Sequence, residues 1–206
     1  MRTVDVREIA PGLWRWTAPH PEWTPSDAEA GDGWEQDVAC VYLEAADSTV
    51  LIDPLIPSAD DERERFLKHL DADVERVGRP VAILLTTESH RRSAPELAER
   101  YGVEIWAHPA GSHATLPDGV AALDAAVEVA LWIPAHAALV VGDILLGAGE
   151  GELRVCPDSW LRPWSPADVR ERLRPLLDLP LERILVAHGE PVLDGAHAAL
   201  ARALSK

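Results

Sequence analysis

Three polar segments of this chain contain side chains that could bind a metal ion or transfer a proton, and each follows an apolar run. The segment TTESHRRS places His90 beside two arginines, Arg91 and Arg92. Asp143 directly follows the run ALVVG, and His188 directly follows ILVA. Two imidazoles and a carboxylate are suitable zinc ligands and also suit general acid–base catalysis. Each segment alone is also typical of an ordinary turn. The prediction of a metal site or an acid–base site therefore depends on all three segments together.

The apolar runs before these segments predict the strands that must position them. VAILL over residues 81–85 reads as a buried strand, and ALVVG and ILVA read in the same way. A buried strand delivers the polar residues at its end to the edge of a sheet, where catalytic and binding residues are commonly found. We therefore expect His90, Asp143 and His188 in loops at strand ends.

The remaining chain alternates between strand and helix signals. Residues 38–54 predict a hairpin, and residues 59–77 and 94–101 predict helices, the second ended by Gly102. Three further strand candidates, VAALD, VEVALWIP and ALVVGDILLGA, precede a helix that begins after Ser165 and runs to about residue 177. A final strand, loop and helix close the chain. This order predicts an α/β fold with two sheets face to face and helices outside, as a single domain over residues 1–206.

The composition argues against two classes of partner. The 206 residues carry 35 acidic and 19 basic side chains, a net charge of −16, which argues against nucleic acid and against an anionic membrane surface. No apolar run approaches the roughly 20 residues of a membrane span, and the N-terminus has no apolar signal core. The two cysteines, Cys40 and Cys156, are predicted to be small buried hydrophobes rather than catalytic thiols. We expect a soluble, cytoplasmic protein.

Taken in chain order, these segments resemble the metallo-β-lactamase fold superfamily over most of the chain. VYLEAADSTVLIDPLIP resembles its opening hairpin, and VAILLTTESHRRSAPELAERYGVEIWAHPAG resembles the strand, metal loop, helix and strand that carry its His-x-His-x-Asp-His motif. VALWIPAHAALVVGDILLG resembles the hairpin with the metal-bridging aspartate, and ILVAHGEP the segment with the last metal histidine. The resemblance implies a four-layer αβ/βα sandwich.

The resemblance also implies a ligand set, of which this chain keeps a part. Aligned on LLT, the four motif positions fall on Thr87, Ser89, Arg91 and Arg92. None of these matches the motif, and the place of the third ligand histidine reads LDAAVE, with no histidine. The bridging aspartate matches Asp143 and the last histidine matches His188, whereas His90 reaches a ligand position only after a shift of one residue.

The arginines argue against a two-zinc site. An arginine stays protonated, cannot donate a lone pair and repels a divalent cation. We instead expect Arg91 or Arg92 to form a salt bridge with Asp143 at the position that the metal ions occupy in the family. A single ion of zinc, iron or manganese on His90, Asp143 and His188 is the alternative to no metal at all.

Three functional hypotheses follow. The first is a protein of this fold without the two-zinc chemistry. It would bind a small-molecule ligand, or have another role, in the cleft that corresponds to the family's active site. The second is a metal-dependent hydrolase of an ester, lactone, thioester or phosphoester with a reduced ligand set. The third is metal-free acid–base catalysis by His90 and His188 beside an arginine that binds an anionic substrate. Across these hypotheses the candidate catalytic residues are His90, Asp143, His188 and Arg92.

The tryptophans leave a further alternative open. Four of the eight lie in predicted loops: Trp23, Trp34, Trp160 and Trp164. Loop tryptophans are packing anchors or line an apolar ligand pocket or protein interface, and His20 is placed to cover the mouth of such a pocket. Substrate and oligomeric state are not determined by the sequence.

Overall fold

The computed structural model describes residues 4–29, 33–107 and 115–206. The strands are β1 (Asp5–Ala10), β2 (Leu13–Pro19), β3 (Asp37–Glu44), β4 (Thr49–Ile52), β5 (Val81–Leu85), β6 (Ile105–Ala107), β7 (Ala121–Ala125), β8 (Glu128–Ile133), β9 (Ala138–Val141), β10 (Leu145–Gly147), β11 (Leu153–Val155) and β12 (Arg183–Val186). The α-helices are α1 (Pro25–Glu29), α2 (Asp60–Val77), α3 (Ala94–Tyr101), α4 (Pro166–Leu173) and α5 (Ala196–Leu204).

The first half of the chain forms a six-stranded sheet in the order β1-β2-β3-β4-β5-β6. The first four strands pair antiparallel, and β5 and β6 then add in parallel to β4. The α2 crossover between β4 and β5 ends at Gly78, whose φ of 66° lies in the left-handed region that favours glycine. The parallel pairing brings the ends of β4 and β5 to the same edge of the sheet.

The second half forms a four-stranded sheet in the order β12-β9-β8-β7, with β10 and β11 as a separate hairpin. The strand β12 is parallel to β9, so these two strands also end at one edge. Backbone hydrogen bonds join the sheets there. The amide of Val129 donates to the carbonyl of Thr86 at 3.0 Å, and that of Ala39 donates to Ala187 at 2.8 Å.

Alternating side chains divide the interior into three apolar clusters. On β3, Val41 and Leu43 pack between the two sheets, whereas Cys40 and Tyr42 pack with α2 and α3 on the outer face of the larger sheet. The outer face of the smaller sheet packs against α4 and α5. The layers therefore run helix, sheet, sheet, helix, which confirms the predicted four-layer αβ/βα sandwich.

Local signals placed most helices and strands correctly, but they missed the short helix α1 within a predicted loop and the strand β11, and two further segments differ. The segment predicted as one strand, ALVVGDILLGA, is broken at Gly142 and Asp143 into β9 and β10. The helix after Ser165 has the predicted cap, because the Ser165 hydroxyl accepts from the amide of Asp168, but it changes to a tighter helical turn over Arg174–Asp178. Within the described residues, no helix is long and apolar enough to cross a membrane.

Candidate functional site

The site lies where four parallel-paired strands end. Asp53 directly follows β4, and Thr86 directly follows β5 and opens the loop that contains His90. Asp143 follows β9 after one glycine, and His188 follows β12 after one alanine. Because the two sheets face each other, these ends converge on one edge of the sandwich.

His90, Asp143 and His188 form a compact cluster, and their ligand atoms all lie within 4.8 Å of one another. The Nε2 atoms of His90 and His188 lie 3.1 Å and 3.2 Å from the same oxygen, Oδ1 of Asp143. The side chain of Asp143 is 29% exposed, whereas that of His90 is 5% exposed. The carboxylate is thus the member of the cluster most open to solvent. The structure brings together the three residues that the sequence singled out, although their roles remain a prediction.

A second carboxylate orients His90 from the opposite side of its ring. Oδ2 of Asp53 lies 2.9 Å from Nδ1 of His90 and accepts from the Thr86 hydroxyl at 2.5 Å, while Oδ1 accepts from the Thr86 amide at 2.8 Å. Asp53 itself has a φ of 49°, a conformation that a non-glycine residue rarely adopts. This carboxylate–histidine pairing resembles the support that metal-binding histidines receive in other proteins.

The electrostatics of the cluster favour a charged Asp143 and a protonated His90. Burial lowers the pKa of His90, but the carboxylates of Asp53 and Asp143 outweigh burial and raise it to about 9. Burial raises the pKa of Asp143, but hydrogen bonds with His188 and His90 hold it far below its usual range. Asp143 therefore offers an ionised oxygen at neutral pH.

His188 is held by packing rather than by a second carboxylate. Its ring makes edge-on contacts with Trp34 and Trp160, at centroid distances of 5.4 Å and 6.1 Å. Its Nδ1 atom is buried and has no hydrogen-bond partner among the described residues. Its loop is fixed through the backbone, since the Arg15 guanidinium donates to the Gly189 carbonyl at 2.8 Å.

Glu128 is a buried functional candidate that the sequence reasoning missed. It begins β8, and its two carboxylate oxygens accept from the amides of Gly142, Asp143 and Ile144 at 2.8 Å, 2.6 Å and 3.2 Å. Burial and the charge of Asp143 raise the pKa of Glu128 to about 8, although these backbone bonds oppose the shift. The available signal was a lone acidic residue within the apolar run AAVEVALWI. Glu128 holds the backbone that presents Asp143.

The expected salt bridge between an arginine and Asp143 is wrong. Arg91 is exposed and pairs with Glu88, three residues earlier in the same turn. Arg92 donates through Nη1 to the carbonyls of Ala39 and Asp53, both at 3.2 Å. Asp143 interacts with the two histidines instead, because the turn at residues 88–91 brings the His90 ring between the two aspartates.

A cavity of about 200 Å³ opens over the cluster. Its lining comprises His20, Trp34, Val38, Ser89, His90, Arg92, Asp143, Trp160 and His188. Two of the loop tryptophans, Trp34 and Trp160, thus line a pocket, whereas Trp164 packs under the guanidinium of Arg172 at 4.0 Å. His20 contacts Trp34 edge-on at 5.2 Å. Both alternatives for the loop tryptophans are therefore realised in this fold.

Neither cysteine is part of the site chemistry. Cys40 and Cys156 are free and buried. Burial raises the pKa of Cys40 to about 11 and that of Cys156 to about 12. Both thiols therefore remain protonated at neutral pH, in agreement with a packing role.

Known structures share this architecture, although no family model and no curated protein matches the sequence. The metallo-β-lactamase IND-7 matches 100% of both chains with a TM-score of 0.67 and 14% identity. A metallo-β-lactamase from Pontibacter korlensis matches 98% of each chain with a TM-score of 0.64 and 14% identity. Another, from Erythrobacter litoralis, matches 100% of this chain and 93% of its own with a TM-score of 0.62 and 16% identity.

The chain therefore has the metallo-β-lactamase fold, which confirms the resemblance of its sequence segments. At these identities the match establishes the fold, and the chemistry has to be argued from the site itself.

The donor set fits one metal ion, which would have to displace the Nε2 proton of His90, and does not fit two. The three clustered donors are the single group among the described residues that could hold an ion. Three residues that align with the family's metal motif make other contacts. The hydroxyls of Thr87 and Ser89 hydrogen-bond to each other, and the Arg91 guanidinium donates to Glu88. Three protein ligands with further positions left open is the pattern of a catalytic single-metal site.

Proposed function

We propose that this protein is a hydrolase that binds one divalent metal ion through His90, Asp143 and His188. The substrate class is a small ester, lactone, thioester or phosphoester. The observation that carries the proposal is the convergence of two imidazoles and an ionised carboxylate within 4.8 Å, at the base of an open cavity. Two histidines and one carboxylate form a ligand set that zinc enzymes and non-haem iron enzymes both use.

A divalent ion held there would act as a Lewis acid on a carbonyl or phosphoryl oxygen. The protein's own contribution is to hold the donors in place. Asp53 fixes the orientation of His90, and Glu128 fixes the backbone of Asp143 through three amide bonds. Trp34 and Trp160 cover His188 and reduce the access of water to this side of the cluster.

Metal content is the direct test. The purified protein, dialysed against metal-free buffer and reconstituted separately with zinc, iron(II) and manganese, should retain about one ion per chain of at least one metal. Asp143→Asn and His188→Ala should lose that ion. His69→Ala is the matched control, because His69 is an exposed histidine on α2, outside the cluster.

Activity is measured with p-nitrophenyl acetate, a γ-lactone, an acyl thioester and bis(p-nitrophenyl) phosphate, with and without chelator. We expect turnover of at least one substrate that chelator abolishes and that Asp143→Asn reduces. Wild-type protein that retains no ion after any reconstitution would contradict the proposal, as would Asp143→Asn protein that binds the ion as tightly as wild type.

A second candidate is a metal-free ligand-binding protein, and one observation favours it. Asp143 already interacts with both histidines, and the Arg92 cation lies in the cavity wall, where it opposes a divalent ion. A protein that retains no metal but binds small molecules in this cavity would support this candidate over the hydrolase.

A further inference from the structure

We infer that Arg92 makes the cavity selective for small molecules that carry an anionic group, a carboxylate or a phosphate, on an apolar body. This inference names the substrate class of the proposed hydrolase and rests on that function. Its structural basis is an arginine held rigidly in the wall of a cavity whose other walls include two tryptophans.

The backbone and two hydrogen bonds fix the position of Arg92. Its φ of 32° and ψ of −118° lie outside the regions that non-glycine residues favour. Such a conformation is strained and persists only where the surroundings hold it. The carbonyls of Ala39 and Asp53 hold one end of the guanidinium at 3.2 Å. The side chain is thereby directed into the cavity wall instead of into solvent.

The charge of Arg92 has no carboxylate partner among the described residues. Its guanidinium donates to the two backbone carbonyls and interacts with the neutral Cys40 thiol, and no carboxylate oxygen of the described residues lies within ion-pairing distance. A half-buried cation is normally paired, because leaving water costs free energy that a carbonyl only partly compensates. Arg91 shows the contrast, since its guanidinium is 54% exposed and paired with Glu88.

The positive field of Arg92 extends across the cavity. Burial and then the charge of Arg92 lower the pKa of His20, which lies on the side of the cavity near Trp34. An anionic group would therefore bind beside Arg92 and away from the ionised Asp143 carboxylate at the cavity base. A guanidinium binds carboxylate and phosphate through the same planar fork.

The apolar body would contact the tryptophans. Trp34, Val38 and Trp160 line the cavity beside Arg92. Aromatic side chains contribute large apolar contact areas with little loss of conformational entropy. The combination of one cation with two indoles therefore favours an anion attached to an aromatic or branched alkyl group over a simple inorganic anion.

Calorimetric titration of the metal-free protein in chelator tests this inference. The probes are 3-phenylpropionate and phenyl phosphate, with the neutral, nearly isosteric 3-phenylpropanamide as comparison. We expect at least one anionic probe to bind wild type at least 10-fold more tightly than the amide. Arg92→Gln should remove this preference, Arg92→Lys should keep part of it, and Arg91→Gln should leave it unchanged.

Equal binding of all three probes to wild type would overturn the inference, as would a loss of preference in Arg91→Gln as large as in Arg92→Gln. If Arg92→Gln does not fold, the wild-type comparison and Arg92→Lys still decide the question. The titrations in chelator measure anion selectivity alone, and the reconstitution test measures metal binding alone. Anion selectivity together with no retained ion would contradict only the proposed hydrolase. A retained ion together with no anion selectivity would contradict only this inference.

Discussion

Gly142 offers the most direct test of how the candidate site is supported. It connects β9 to Asp143, and a Cβ atom at this position would lie 2.5 Å from Oγ1 of Thr86, 2.8 Å from Oε2 of Glu128 and 3.2 Å from Cε1 of His90. All three neighbours are buried and hydrogen-bonded. Gly142→Ala must therefore displace the Asp143 backbone or break one of these contacts.

The expected magnitude follows from this crowding. Overpacking by a methyl group costs about 1–3 kcal/mol, and the lower entropy of unfolded alanine offsets about 0.4–1 kcal/mol of that cost. The free energy of unfolding should fall by about 1–2 kcal/mol, which lowers Tm by about 2–8 °C in a chain of this size. Displacement of Asp143 from the histidines should also weaken metal binding by about 10- to 100-fold.

Thermal unfolding followed by circular dichroism measures the first effect, and competition with a chromophoric chelator measures the second. Gly149→Ala is the matched control. A Cβ there meets nothing within 4 Å, but its φ of +80° makes alanine costly. That variant should lose stability and keep the metal affinity of wild type. The reasoning would be refuted if Gly142→Ala matched wild type in both measurements, or if both variants lost affinity equally.

Three further predictions concern buried groups. Glu128→Gln should lower the free energy of unfolding in urea by about 2–3 kcal/mol, because an amide offers one acceptor oxygen to three buried amides. The metal-free protein should lose stability as pH rises from about 6.5 to 9, because the folded-state pKa values of His90 and Glu128 are raised to about 9 and about 8. The His90 shift, in which burial is outweighed by the Asp53 and Asp143 carboxylates, accounts for about 3 kcal/mol of this loss, and Glu128 adds to it in the same direction. Native protein at pH 8 should leave Cys40 and Cys156 unmodified by Ellman's reagent, whereas urea should expose both.

Each of these predictions has a result that contradicts it. As a control, Glu64→Gln, at an exposed position on α2, should unfold at the same urea concentration as wild type. A loss of stability in Glu64→Gln as large as in Glu128→Gln would contradict the role assigned to Glu128. A raised His90 pKa stabilises the folded state below the unfolded pKa and loses that effect as pH passes the folded value. Stability that is flat or rising over this range is therefore incompatible with the assigned pairing. Rapid native labelling of either thiol would show that it is not buried.

The sequence by itself determined the layers and the strand ends that position the site. Apolar alternation, Gly102 and the Ser165 cap are local signals, because a strand or helix depends on the spacing of residues within one segment. The same signals placed Asp143 and His188 at the ends of β9 and β12. These predictions succeeded because parallel strands carry their end residues to a common edge.

Only the tertiary structure decided what each polar side chain does at that edge. His90, Arg91 and Arg92 are consecutive, yet one lies between two aspartates, one pairs with Glu88 in solvent, and one lies in the cavity wall. Side-chain direction in an irregular loop depends on backbone angles that distant residues hold in place. Asp53 is 37 residues from His90, and no local pattern predicts their contact or the three amide bonds to Glu128.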